Sequence, residues 1–154
     1  MKLAVILLLA FIFGVGGYLA YQAWLPSPLN PSDPVPLISE ENCFLQENAC
    51  TASHQQVQIA LALSPQPVPL MKPVQVSMQV NGLNHLETIE LKIEGVNMYM
   101  GFQSVQLTKQ TDTEWQGSFT LPICSESEMH WQVTANLNSK QQSYQSSFNL
   151  VTQR

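Results

Sequence analysis

Between Leu3 and Met71 the chain has no lysine and no arginine, and charged residues make up only 11% of the whole. From Pro26 onward five basic residues stand against eleven acidic ones. So little positive charge argues against nucleic acid as a partner and against a basic patch lying on a lipid surface. Catalytic signatures are also missing. There is no G-x-S-x-G, no H-E-x-x-H and no P-loop, and His54, His85 and His130 are scattered. No C-x-x-C supports thioredoxin-type exchange. The expectation is a protein that is not an enzyme. Nothing after residue 25 shows helical periodicity, and no internal repeat is visible.

What is present begins with MKLAVILLLAFIFGVGGYLAYQAWL, residues 1–25. From Leu3 to Leu25 no residue is charged. A helix needs roughly 20 apolar residues to cross the hydrocarbon core, so the run is long enough to span. Lys2 marks the cytoplasmic flank, and Tyr18, Tyr21 and Trp24 cluster at the other end, where aromatic rings favour the interface. The sequence thus predicts one N-terminal transmembrane helix, with the N-terminus cytoplasmic and the rest outside. A cleaved signal peptide is the competing reading, but Tyr18 and Tyr21 interrupt the small-residue run that cleavage needs. Residues 26–42 hold five of the ten prolines and read as a semi-stiff linker, with packing of part of it on the domain edge as the alternative. Residues 43–154 form the exported domain.

That domain alternates. Val57 to Leu63, Val74 to Val80, Ile89 to Ile93, Val105 to Leu107, Trp115 to Leu121, Met129 to Leu137 and Tyr144 to Leu150 each place apolar side chains at every second position. Period two means one buried and one wet face per strand, the mark of antiparallel sheets. About seven strands in roughly a hundred residues predict an all-β, immunoglobulin-like antiparallel β-sandwich, with a small barrel as the runner-up.

The cysteine count is odd. Cys43 and Cys50 enclose a short spacer and predict a local disulfide in an oxidising compartment. Cys124 is left over, as a buried small hydrophobe, a disulfide partner or a functional thiol. Near it in the chain stand Met98 and Met100, just before Gly101, and Met129. Thioethers and thiolates are soft donors that select Cu(I). Met98, Met100, Cys124 and Met129 are therefore the candidate metal ligands, with Met71 as a further donor if its turn lies at the same end. The competing reading is packing, since Met fills irregular gaps in a core. Met78, among valines on one face, belongs to the core, as does Trp131. His130, out of phase with Met129 and Trp131, should face away from it.

The order MKP, G-V-x-M-x-M-G, W-x-G, L-P-x-C and M-x-W resembles small membrane-anchored proteobacterial proteins and, more remotely, FixH-like and YtkA-like sandwich domains. The likeness covers roughly residues 43–150. It implies a single-pass protein of the bacterial inner membrane with a periplasmic domain, in a setting associated with copper or cytochrome oxidase, and a partner that is a membrane or oxidase-assembly protein. YtkA-like sequences often carry His after Met-Gly, whereas Phe102 stands here, so no His-containing metal site is implied.

Overall fold

The computed structural model describes residues 14–18, 21 and 33–154. The chain divides into two units, Met1–Pro31 and Ser32–Arg154. In the first, Gly14–Tyr18 and Tyr21 are helical. Among the described residues no helix is long and apolar enough to cross a membrane. Most of the predicted anchor, residues 1–25, and the first part of the linker lie outside the described residues.

The second unit is all-β. Its strands are β1 (Val35–Pro36), β2 (Ile38–Ser39), β3 (Cys50–His54), β4 (Val57–Ser64), β5 (Pro73–Asn81), β6 (Leu86–Gly95), β7 (Phe102–Lys109), β8 (Glu114–Thr120), β9 (Glu128–Ser139) and β10 (Ser143–Gln153). All seven expected strands are present. The expected number is nonetheless corrected to ten, because β1, β2 and β3 are too short or too polar to announce themselves by alternation. The sheet order is β1-β10-β9-β6-β7-β8-β5-β4-β3-β2. Every pairing is antiparallel except that of β1 with β10.

Two local features turn this order into a nearly closed wrap. The first is β7, which pairs with β6 through Phe102–Leu107 and with β8 only at Thr108 and Lys109. The strand crosses from one half of the sheet to the other, and Gly117 on β8 leaves the room. A β-carbon there would press on the Leu107 side chain. The second is the segment 35–39. Val35–Pro36 lies on the edge of β10, and Ile38–Ser39 lies on the edge of β3. Between them Leu37 is buried, its N–H donates to the Gln145 carbonyl at 2.7 Å, and its carbonyl accepts from the Ser146 hydroxyl. Residues drawn as linker therefore stitch the two outer strands together. The compact unit starts at Ser32 rather than at Cys43.

Alternation fills the interior. On β9, Met129, Trp131, Val133, Ala135 and Leu137 are buried while the residues between them are half-buried or exposed. Val74, Val76, Met78 and Val80 do the same for β5, and Ile89, Leu91 and Ile93 for β6. Each fully buried Leu, Ile, Val or Met contributes about 1.5–3 kcal/mol relative to exposure. Met78 and Trp131 are core residues as expected, and His130 points outward.

Cys43 and Cys50 form the expected disulfide, with α-carbons 5.7 Å apart. It pins the turn that leads from the stitch into β3, and it closes a short loop. Opening it with the double substitution Cys43→Ala/Cys50→Ala should lower stability by about 2–3 kcal/mol. Urea titration of the wild-type chain with and without reductant, beside the double variant, checks this. A midpoint unmoved in both would show that the loop is held by packing alone.

Candidate metal centre

The β6–β7 loop (residues 96–101) and the β8–β9 connection (residues 121–127) meet at one end of the wrap. Register brings them there. Gly95, at the end of β6, stands opposite Trp131 of β9. Beyond it the Val96 N–H donates to the His130 carbonyl at 2.8 Å. Asn97 then bridges to β9 twice: its Nδ2 donates to the Glu128 carbonyl at 2.9 Å, and its Oδ1 accepts from the His130 N–H at 3.0 Å. Gly95 must be glycine, since a β-carbon would collide with the Met98 carbonyl and crowd the Met129 methyl. Gly101, at φ 81°, supplies the left-handed turn into β7.

This bracing sets the sulfur atoms. Cys124 is 7% exposed and is a free thiol. Its Sγ lies 3.1 Å from the Sδ of Met100, which is 40% exposed and caps it toward solvent. A thiol is a weak donor and a thioether a weak acceptor, so the contact satisfies both without a metal. Met98 is half-buried, its Sδ 3.8 Å from the Ser125 hydroxyl, one residue beyond Cys124. Tyr99 between the two methionines is 78% exposed, and 96–101 is loop rather than strand.

Met129 differs from the other three. It is 3% exposed, on the interior face of β9, with its methyl group beneath Gly95. Met71 is at this end of the wrap: its N–H donates to the Leu121 carbonyl at 2.8 Å, and the neighbouring Leu70 bridges Leu121. Its side chain is 63% exposed. Among the described residues no three His, Cys, Asp or Glu side chains gather as a metal site. The sulfur group is the only candidate that the sequence reading offered.

Compared with known proteins, the chain matches no family model, no curated protein and no solved structure. The geometry stands alone.

Sequence reasoning missed three residues. Asn97 braces the loop from an ordinary-looking position, and no spacing rule would mark it. Arg154 reaches back to the Cys124 carbonyl at 3.4 Å, while its own N–H donates to the Ser127 carbonyl. Pro122 joins Met100 and Trp131 around a small depression of about 50 Å³ where β7 and β8 part.

Glu128, at the start of β9, accepts from Gln153 Nε2 at 3.1 Å and pairs with His130 Nε2 at 2.9 Å. The Gln153 hydrogen bond, then the one from His130, hold its carboxyl below the usual glutamate range. A carboxyl depressed on folding adds stability above its unfolded value of 4.5 and loses it as pH falls through the lowered folded value. The wild-type urea midpoint should therefore drop more steeply below pH 4.5 than that of Glu128→Gln. Parallel titrations between pH 6 and pH 3 check this, and coincident slopes would show that the carboxylate bonds to Gln153 and His130 add no stability.

Burial of Cys124 under Met100 has its own consequence. In Met100→Ala the rate of Cys124 alkylation should rise by about tenfold, the factor for ~1.4 kcal/mol of easier local opening. Stopped-flow thiol counting on the folded protein reads this directly, and an unchanged rate would mean that Met100 is no lid.

Proposed function

We propose that this chain is a membrane-anchored periplasmic protein whose domain binds Cu(I) through Met100 and Cys124, with Met98 and Met129 at hand, in oxidase assembly or copper handling. The observation that carries the reading is the 3.1 Å approach of Cys124 Sγ to Met100 Sδ at a partly exposed tip. Two soft donors converge there on one point, as a low-coordinate soft ion requires. Donors about 2.3 Å from a shared metal stand about 4 Å apart in a trigonal arrangement, so the pair must open by about 1 Å. Met100 has a flexible side chain and a glycine after it, which makes that opening cheap.

The strand order supports an immunoglobulin-like reading of the domain. β4, β5 and β8 are neighbours on one side and β7, β6, β9 and β10 on the other, as are strands A, B, E and C′, C, F, G of that sandwich. The apolar run in residues 1–25 supports the anchor, and the Cys43–Cys50 disulfide supports an oxidising compartment.

A non-catalytic interaction module is the second reading. Val96, Tyr99, Phe102 and Ile123 are each more than half exposed around the same tip, and such an apolar rim also suits a protein contact.

Anaerobic Cu(I) titration of the full chain in detergent, against a competing chelator, separates the two. The copper reading expects one equivalent bound, with release of the thiol proton so that apparent affinity rises with pH. Cys124→Ser and Met100→Leu should each weaken binding by at least about tenfold, one donor being lost from a small set. No binding by the wild-type chain would leave the module reading.

A further inference from the structure

A groove of about 710 Å³ lies between the end of β10 and the connection that joins β4 to β5. Its size falls within the ~300–1,000 Å³ range of sites that take organic ligands. Val151 and Gln153 form one wall, and Pro67, Val68, Pro69 and Leu70 form the other. Pro67 and Pro69 have no N–H, so the second wall offers chiefly apolar contact. Ile123, 54% exposed, adds to it. Glu47 and Arg154, both exposed, are the charged residues around the groove. Arg154 gives one N–H to the Cys124 carbonyl, and a guanidinium carries five.

The β10 wall is a ladder cut short. Phe44 bridges Asn149 in parallel, and the Leu45 N–H donates to the Asn149 carbonyl at 3.0 Å. A parallel ladder would next join the Val151 N–H to the Leu45 carbonyl. That carbonyl instead accepts from Gln66 Nε2 at 3.2 Å, and the chain turns away, with the Glu47 N–H on the Phe44 carbonyl. The Val151 N–H donates to the Gln46 side-chain oxygen at 2.9 Å, so a side chain stands in for a strand at this one position. Among the described residues no strand bridges this edge of β10 beyond Asn149. Peptide groups alternate sides along a strand, so the Val151 carbonyl and both backbone groups of Gln153 face the groove with the Val151 N–H. The Arg154 N–H, one step on, points the other way, to the Ser127 carbonyl.

We infer that this groove seats an extended segment of a partner protein, added to β10 as the strand that residues 44–45 begin and abandon. One residue of the segment donates its N–H to the Val151 carbonyl and accepts the Gln153 N–H at its own carbonyl. That residue stands opposite Thr152, which is buried, so its side chain faces inward and is apolar. Glu47 lies at the end where Phe44 and Leu45 leave β10, and Arg154 lies at the other. The segment is therefore basic toward Glu47 and acidic toward Arg154. An edge sunk between two walls admits a lone strand but holds off the same sunken edge of a second copy. The inference does not rest on the copper reading.

The test titrates the isotope-labelled full chain in detergent, without metal, with the peptide acetyl-Lys-Thr-Val-Thr-Glu-amide, and follows the backbone amide signals. Those of Val151, Gln153 and Ile123 should move together, while those of His54 and Gln55 in the β3–β4 turn stay. Gln153→Pro removes one N–H from a strand edge, where proline is tolerated, and should weaken binding by at least about tenfold. Gln153→Ala keeps that N–H and should bind as the wild-type chain does. Glu47→Lys should weaken binding by about threefold or more, as loss of an exposed ion pair does. Signals unmoved at ~5 mM peptide would overturn the inference. Equal binding by Gln153→Pro would overturn it too, since the peptide would then be held by side chains alone. So would self-association of the wild-type chain that Gln153→Pro abolishes, which would make the occupant a second copy.

Discussion

Everything at the sulfur-bearing end depends on the register of β9 between its two neighbours. Trp131 faces Gly95 on one side and Leu150 on the other, and Met129 faces Thr152. A slip of one residue would send each interior side chain of β9 to solvent and bring His130 and Gln132 inward. Eleven paired positions with β10 make that slip expensive. With the register held, the Val96 and Asn97 hydrogen bonds can reach β9 only where they do. The 96–101 loop is then set over Cys124, and the Met100–Cys124 contact follows from strand pairing far from either residue. The chemistry proposed for the tip is thus a consequence of ordinary hydrophobic alternation along Met129–Leu137.

Much of this was legible in the sequence, because a half-buried strand must alternate. The seven strands from Val57 to Leu150, the burial of Met78 and Trp131, the outward His130 and the Cys43–Cys50 bridge all follow from local pattern. What could not be read was non-local. Val35–Pro36 and Ile38–Ser39 are strands only because two edges need covering; their own composition, rich in proline, says linker. The passage of β7 from one half of the sheet to the other is marked only by Gly117, and a lone glycine in a strand has several meanings. At the tip, spacing put Met98, Met100, Cys124 and Met129 in one neighbourhood. It could not separate the exposed Met100 from the enclosed Met129, since both stand at in-phase positions.

The proposed copper site would combine two demands that ordinarily conflict. A soft-donor site wants an accessible, mobile ligand, whereas a free thiol outside the cytoplasm wants shelter from oxidation. With Cys124 buried and Met100 against it, the proposed site would meet both, because its cover would itself be a donor. Asn97 ties the loop's root to β9 by two hydrogen bonds, while Gly101 makes the left-handed turn at its far end.

The stitch formed by residues 35–39 reaches beyond its packing. β10 and β3 would otherwise present two rows of unpaired backbone groups, the kind of edge along which sheets of different molecules join. Leu37 and its flanking bridges cover part of each, at Tyr144–Gln145 of β10 and Ala52–Ser53 of β3. A fragment trimmed to begin at Cys43, where composition suggests the domain starts, would keep the Phe44 and Leu45 bonds to Asn149 but bare the Tyr144–Gln145 and Ala52–Ser53 stretches of the two edges and lose Leu37 from between them. Its failure in solution would be intermolecular: strand-to-strand assembly, growing with concentration, by molecules whose cores are still largely intact.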